Sequence, residues 1–313
     1  MKSFTCQCWS KEETIAKVPR EHKMSREEPT LSGSTKELIN EALAEDMGSG
    51  DYTTLWSVPA RHTSRARIIA RAGGVIAGIP VARYLISRSR PAPKIVSAVP
   101  DGQGVTAGQV VAELIGHTRQ LLMVERTMLN FLQRLSGIAT MTSRFVEKVE
   151  GTGVEILDTR KTTPGLRELE KYAVRVGGGS NHRFGLYDYV LLKENHISAA
   201  GGIRQAVEAV KKANDKNLPV EVETRSLDEV REAIQAGVSR IMLDNMTIEQ
   251  IKLAVDLIRS HKGEIIPEIE ASGDITLRTI AEVAATRVDF ISVGAITHSA
   301  GILNLTMLIE PDF

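Results

Sequence analysis

Apolar and polar residues change their spacing along the chain, and each change marks a different kind of structure. Residues 1–33 are charged and show no apolar period, which reads as a flexible extension. Ser34-Thr35-Lys36-Glu37 then has capping-box spacing. Leu38, Ile39, Ala42 and Leu43 follow at helical steps, until the Gly- and Asp-rich stretch 46–51 breaks the pattern. Short strand-like runs come next at 66–70, 74–77 and 110–115, with a helix expected at 80–87. Val124, Met128, Leu132, Leu135 and Ile138 restore three- and four-residue steps and predict one long helix. Its second face carries Arg126, Asn130, Gln133 and Gly137, a mixture that suits a packed interface better than open solvent.

From Gly153 onward strand and helix alternate. Strands are expected at 154–157, 189–192, 220–223, 240–243, 265–270 and 290–293. Helices are expected at 166–176, 203–213, 227–236, 248–260 and 277–285. Such alternation implies a parallel sheet. Short units without a Gly-rich dinucleotide fingerprint favour a β/α barrel over a doubly wound sheet. The strands are fewer than the eight of a full barrel, so the barrel is incomplete or a strand escapes the pattern. The turns at Asp101-Gly102-Gln103-Gly104 and Gly108-Gln109 are similar to those of lipoyl and biotinyl carrier domains. No lysine stands on the turn to be modified, so these residues are read as backbone geometry.

Composition narrows the function classes. With 313 residues, 42% of them hydrophobic and 4% aromatic, the chain can build a sizeable, mainly aliphatic core. A formal net charge of +0 gives no global attraction to nucleic acid or to an anionic membrane. Any anion site must come from local Arg and Lys clusters. No apolar run is long enough to span a bilayer, and residues 1–10 lack the apolar centre of a secretory signal. Cys6 and Cys8 stand in the polar leader, too few for a metal site and too close for an unstrained disulfide. Nothing calls for an oxidising compartment, and a cytoplasmic location is expected.

Barrels carry their chemistry where the strands end. The first strand ends in Asp158, Arg160 and Lys161, and the second in Lys193, Glu194, Asn195 and His196. The third carries Glu221 and Glu223 on one face, the fourth ends in Asp244 and Asn245. The fifth offers Glu268, Glu270, Ser272 and Gly273, and the sixth Gly294 and Ala295. A glycine-rich segment before the second strand adds His182 and Arg183. Converging charges cost several kcal/mol unless paired or liganded, so stability alone is a poor account of them. Arg126, Arg160, Lys161, His182, Arg183 and Lys193 form a basic set suited to a multiply anionic ligand. Glu223 and Asp244 are acids on adjacent strands, suited to Mg²⁺ held partly through water. Ser272, Gly273 and Gly294 fall on the last two strands, where barrels commonly bind phosphate.

The segments Glu125-Arg126-Thr127-Met128-Leu129-Asn130-Phe131-Leu132, Asp158-Thr159-Arg160-Lys161-Thr162-Thr163-Pro164-Gly165 and Asn181-His182-Arg183-Phe184-Gly185-Leu186-Tyr187-Asp188 resemble those of quinolinate phosphoribosyltransferases. Leu192-Lys193-Glu194-Asn195-His196-Ile197, Leu243-Asp244-Asn245 and Ser292-Val293-Gly294-Ala295 also fit. The resemblance implies an α/β fold: an N-terminal α/β sandwich over 34–137, including the connecting helix, and an incomplete α/β barrel over 138–300. Residues 301–313 would pack back on the first domain, with 1–33 outside the likeness. It implies decarboxylating phosphoribosyl transfer from phosphoribosyl pyrophosphate to quinolinate, with Mg²⁺, in a homodimer or higher oligomer.

By the same resemblance Arg126 from a partner subunit, Arg160, His182 and Arg183 would bind the quinolinate carboxylates. Lys161 and Lys193 would contact pyrophosphate and carboxylate, and Glu223 and Asp244 the ribose hydroxyls and the metal. Ser272, Gly273 and Gly294 would cradle the 5′-phosphate, and Lys161, Glu223 and Asp244 are the expected catalytic groups. Three rivals stay open: the paralogous branch of molybdenum-transport operons, a Schiff-base lyase using Lys161 or Lys193, and a non-catalytic phosphate-binding barrel.

Overall fold

A computed structural model describes residues 30–263 and 265–311. Cys6, Cys8 and the rest of the leader up to residue 29 lie outside the described residues. The first helix, α1 (Gly33–Met47), starts one residue before the expected Ser34, because Ser32 is its cap. Ser32 Oγ accepts from Thr35 N at 3.1 Å and donates to Glu168 at 2.6 Å, so the cap is fixed from the far side by the barrel. A short helix, α2 (Tyr52–Ser57), then appears where no period was visible, started by Asp51 accepting from Thr54 N.

Strands β1 (Thr63–Ala70), β2 (Gly74–Val75), β3 (Lys94–Ala98), β4 (Gly104–Val105) and β5 (Val110–His117) follow, with α3 (Ile79–Ser87) between β2 and β3. In β1 every second residue is buried, the period of a sheet with one covered face. β3 shows no such alternation and is largely exposed, so its sequence carried no signal. The carrier-like turn is structural. Asp101 accepts from Gly78 N and Ile79 N at the start of α3, at 2.8 and 3.0 Å, and from Tyr172 Oη at 2.6 Å.

The long helix α4 (Thr118–Lys148) buries Val124, Met128, Leu132, Leu135 and Ile138, the predicted stripe. Half of its second face is covered by the chain itself. Gln133 Nε2 donates to Leu305 O at 2.7 Å, and Leu303 N donates to Gln133 O at 3.0 Å. A Cβ on Gly137 would lie 1.9 Å from Gly301 O, so only glycine permits this approach. The returning segment ends in β12 (Leu305–Pro311), which pairs antiparallel with β1. The N-terminal sheet therefore has the order β12-β1-β5-β3.

The barrel contains β6 (Glu155–Leu157), β7 (Val190–Leu192), β8 (Val220–Thr224), β9 (Arg240–Asp244), β10 (Glu268–Ser272) and β11 (Phe290–Ser292). Its helices are α5 (Arg167–Val176), α6 (Glu194–Ala200), α7 (Ile203–Ala213), α8 (Leu227–Ala236), α9 (Ile248–Arg259), α10 (Ile280–Ala284) and α11 (Ala295–His298). All strands are parallel in the order β6-β11-β10-β9-β8-β7, so first and second strands stand at opposite edges. The barrel is incomplete, and a single bridge from Ser180 to Leu157 occupies the gap. β10 begins three residues later than its apolar pattern suggested, since Ile265 and Ile266 are about half exposed. The helix expected at 277 begins at Ile280. α6 was missed because its seven residues bury no side chain.

Candidate active site

The site is assembled from the loops that leave the barrel strands. The residues after β6 carry Arg160 and Lys161, and three fixed groups hold them. Thr163 N and Oγ1 donate to Glu170 at 3.1 and 2.7 Å. Thr297 Oγ1 donates to Lys161 O at 2.9 Å. Arg134 of α4 reaches Glu170 through Nε and Nη2, at 3.1 and 2.8 Å, and Thr297 O at 2.6 Å. The buried Glu170 carboxylate thus accepts from both the loop and the long helix.

Behind this loop lies a buried ion pair. Lys171 on α5 donates to Asp158 Oδ1, and again to His182 O at 2.9 Å. Asp158 also accepts from Asn181 Nδ2 at 2.5 Å and His182 N at 2.9 Å. Burial pushes the Asp158 carboxyl up and the Lys171 ammonium down, in each case against their mutual attraction. The pair therefore clamps the segment that carries His182 and Arg183 in the gap between β6 and β7.

Arg183 and Arg160 face one region. Burial lowers the Arg183 pKa, and the nearby Arg160 charge lowers it further. Arg183 Nη1 donates to Tyr189 O at 3.1 Å, and Arg160 Nε is buried with no protein acceptor. Glu221 and Asp188 attract the Arg183 charge, but neither guanidinium forms an ion pair with a carboxylate among the described residues. Two close cations with open donors are an anion site, and planar guanidinium suits a carboxylate.

His182 directs both ring nitrogens at protein groups. Nδ1 accepts from Arg183 N at 2.7 Å. Nε2 lies between Glu221 at 3.2 Å and Glu270 at 3.4 Å, aligned with neither for a good hydrogen bond. Glu221 and Glu270 belong to β8 and β10, which are not neighbours, so this cluster fills the barrel lumen. Burial alone would lower the imidazole pKa, but the two carboxylates draw it up to about 9. Charging the ring means losing the Arg183 bond, because an imidazolium has no lone pair at Nδ1. Burial, then Glu270, pushes Glu221 up. His182, Ser292 and Arg240 hold Glu270 down in spite of its burial. In the neutral ring the Nδ1 bond fixes the Arg183 backbone, and charging the ring releases it.

Glu223 and Asp244 end adjacent strands and share a cation that the sequence reading missed. Arg225 Nη2 lies 3.4 Å from Glu223 Oε1, its Nε 3.7 Å from Asp244 Oδ2 and its Nη1 2.5 Å from Glu194 Oε2. Lys193 Nζ is 3.2 Å from the other Glu223 oxygen. The signal for Arg225 was present: 221, 223 and 225 continue one two-residue alternation past the strand end. Two carboxylates converging on one point are hard oxygen donors of the kind Mg²⁺ takes.

The last two strand ends lack bulk. Gly273 has φ +103°, and a Cβ there would lie 2.2 Å from Asn245 Oδ1 and 2.8 Å from Asn245 N. A Cβ on Gly294 would lie 3.1 Å from His298 Nε2 and 3.3 Å from Lys161 Cδ, which places Lys161 beside this rim. Ser272 is partly buried at the end of β10, where its carbonyl accepts from Asn245 N at 2.9 Å. Arg126 stands apart: it is exposed on α4 and makes no hydrogen bond or ion pair to another described residue. A cavity of about 570 Å³ between α1 and α4 is lined by Glu41, Glu45, Asp46, Asn130 and Arg134 and by Leu166, and none of Arg160, Lys161, His182, Arg183 or Lys193 lines it.

Residues 51–136 match the quinolinate phosphoribosyl transferase N-terminal domain, and 138–308 match the C-terminal domain of the same family. A probable nicotinate-nucleotide pyrophosphorylase (carboxylating) of Synechocystis sp. is 45% identical over 271 residues, covering 87% of this chain and 91% of that protein. The nicotinate-nucleotide pyrophosphorylase structure from Francisella tularensis superposes with a TM-score of 0.83 at 42% identity, covering 88% of this chain and 95% of its own. The NadC structure from Streptococcus pyogenes gives 0.85 at 40% identity, covering 91% of this chain and all of its own. With both halves of its length matched in order, the chain belongs to the quinolinate phosphoribosyltransferase family.

Proposed function

We propose that the protein transfers the phosphoribosyl group of phosphoribosyl pyrophosphate to quinolinate, releasing pyrophosphate and CO₂ and giving nicotinate mononucleotide for NAD biosynthesis. The observation that carries this reading is the division of the rim: Arg160 and Arg183, which form no ion pair with a described carboxylate, on one side, and Glu223 and Asp244 together on the other. Quinolinate offers two carboxylates to the first, and a ribose pyrophosphate offers hydroxyls and metal-bound oxygens to the second. Arg160 and Arg183 orient the pyridine so that its nitrogen faces the anomeric carbon. The N–C bond forms as the bond to pyrophosphate breaks, and Glu223 stabilises the positive charge that develops on the sugar. Such alignment of two reactants contributes on the order of 7–11 kcal/mol. The pyridinium then accepts the electron pair of the adjacent C–CO₂⁻ bond, and a proton from solvent takes the place of CO₂.

Glu223 and Asp244 would hold Mg²⁺, directly or through water, which would neutralise the departing pyrophosphate. Lys161 and Lys193 serve the same anion, and Ser272, Gly273 and Gly294 leave room for the 5′-phosphate. The unpartnered Arg126 supports a homodimer, or a higher oligomer, in which it completes the partner's site. The cytoplasm is the compartment in this reading. No helix among the described residues is long and apolar enough to cross a membrane. A Schiff-base lyase fits poorly, because Lys161 is exposed and Lys193 is half exposed and paired with Glu223, not desolvated.

The test mixes protein, quinolinate, phosphoribosyl pyrophosphate and Mg²⁺ and follows nicotinate mononucleotide and CO₂ together. Equal formation of both, abolished by EDTA and cut at least tenfold by Arg160→Ala, is the expected result. Binding of phosphoribosyl pyrophosphate without either product would end this assignment.

A further inference from the structure

The acid pair at the ends of β8 and β9 already has a counter-ion. Both Glu223 oxygens face a cation, Arg225 at 3.4 Å and Lys193 at 3.2 Å, and Asp244 Oδ2 lies 3.7 Å from Arg225 and 2.9 Å from Asn245 Nδ2. The backbone beneath Arg225 is fixed. Its N–H donates to Glu229 at 2.6 Å, and the next residue, Ser226, caps α8. Its side chain is 48% exposed, so only these carboxylates hold the guanidinium in place. A divalent ion that approaches these carboxylates alone must displace Arg225 or sit against it, and either lowers its affinity. A metal that arrives with pyrophosphate oxygens faces no such opposition, because the guanidinium can turn to the anion.

We propose that Arg225 is a resident counter-ion that keeps free divalent metal off the Glu223–Asp244 pair, so that metal enters together with phosphoribosyl pyrophosphate. Arg225 thereby sets the order of binding. Glu194 on α6 is the third carboxylate on the guanidinium, at 2.5 Å. The inference rests on the reading of Glu223 and Asp244 as the metal site.

The test is a titration of the full-length protein with Mn²⁺, read as loss of the free-ion signal in electron paramagnetic resonance, with and without phosphoribosyl pyrophosphate. Native protein should bind Mn²⁺ weakly alone and tightly with phosphoribosyl pyrophosphate. Arg225→Ala should bind Mn²⁺ alone on the order of tenfold more tightly, and Arg225→Lys should stay close to native. Adding Asp244→Asn to Arg225→Ala should abolish the gain. Equal affinity of native protein and Arg225→Ala for Mn²⁺ alone would overturn the inference while leaving the metal site in place, provided phosphoribosyl pyrophosphate still recruits the ion. Failure of every variant to bind Mn²⁺ under both conditions would overturn the metal site and the inference together.

Discussion

Removing Asp158 should destabilise the protein more than removing its partner Lys171. The two side chains are 0% and 2% exposed, so each would be left in a poor solvent for charge. Breaking a buried pair from one side costs about 3–5 kcal/mol, which for a chain of this size corresponds to a fall in Tm of roughly 5–8 °C. Asp158→Asn should lie at the upper end, because the buried ammonium loses its counter-charge and the new amide NH₂ is set against the Asn181 Nδ2 donor. Lys171→Met should lie lower, because Asp158 keeps the Asn181 and His182 donors. The double variant removes both charges and should recover about 1–3 kcal/mol against the sum of the single effects.

The pH dependence has a definite sign. In Lys171→Met, burial still raises the Asp158 pKa above its ordinary 3.8, now without an opposing cation. A carboxyl raised on folding contributes stability below its unfolded pKa and loses it as pH rises through the folded value. The deficit of Lys171→Met should therefore be smaller near about pH 5 than near about pH 8. Thermal and urea unfolding at both pH values measure these differences. Additivity of the two single variants within about 0.5 kcal/mol would refute the pairing argument. Because the pair holds the segment before Arg183, a rise in KM for quinolinate should accompany the loss.

Other positions give independent checks. Gly273→Ala places a methyl group against the Asn245 backbone at φ +103°, so kcat/KM should fall at least tenfold with a stability loss of about 1–3 kcal/mol. Gly137→Ala drives a methyl into Gly301 O and should cost about 2–4 kcal/mol and weaken amide-exchange protection in β12 first. Glu170→Gln puts an amide donor among Arg134, Thr163 N and Thr163 Oγ1. It should cost about 2–4 kcal/mol and raise KM for both substrates through the Arg160–Lys161 loop, with Glu170→Asp intermediate.

Most of the barrel was legible because its strands and helices repeat two clear periods. The candidate site residues could be gathered from the sequence because strand ends in such a fold converge, which turns a list of scattered charges into one rim. The failures have local causes. β3 has no alternation to read, since it borders solvent. The α1 cap was misplaced from Ser32 to Ser34 because its decisive contact, Glu168, lies far along the chain. Lys171 looks like a surface lysine in sequence, and only its meeting with Asp158 explains its burial. Arg225 continues the Glu221–Glu223 alternation but stands one residue beyond the strand, where the strand pattern no longer marks it.

The antiparallel pairing of β12 with β1 carries a consequence for synthesis. β1 emerges from the ribosome long before its neighbour, with the entire barrel encoded between them. Throughout that interval the outer edge of β1 has unsatisfied backbone groups, an invitation to intermolecular strand pairing. Alternating arginines, Arg65 and Arg67, line that strand between its buried residues and would repel a second copy of the same edge. A nascent chain stalled within the barrel would therefore be protected chiefly by charge, and chaperone dependence should end once β12 clears the ribosome and closes the sheet.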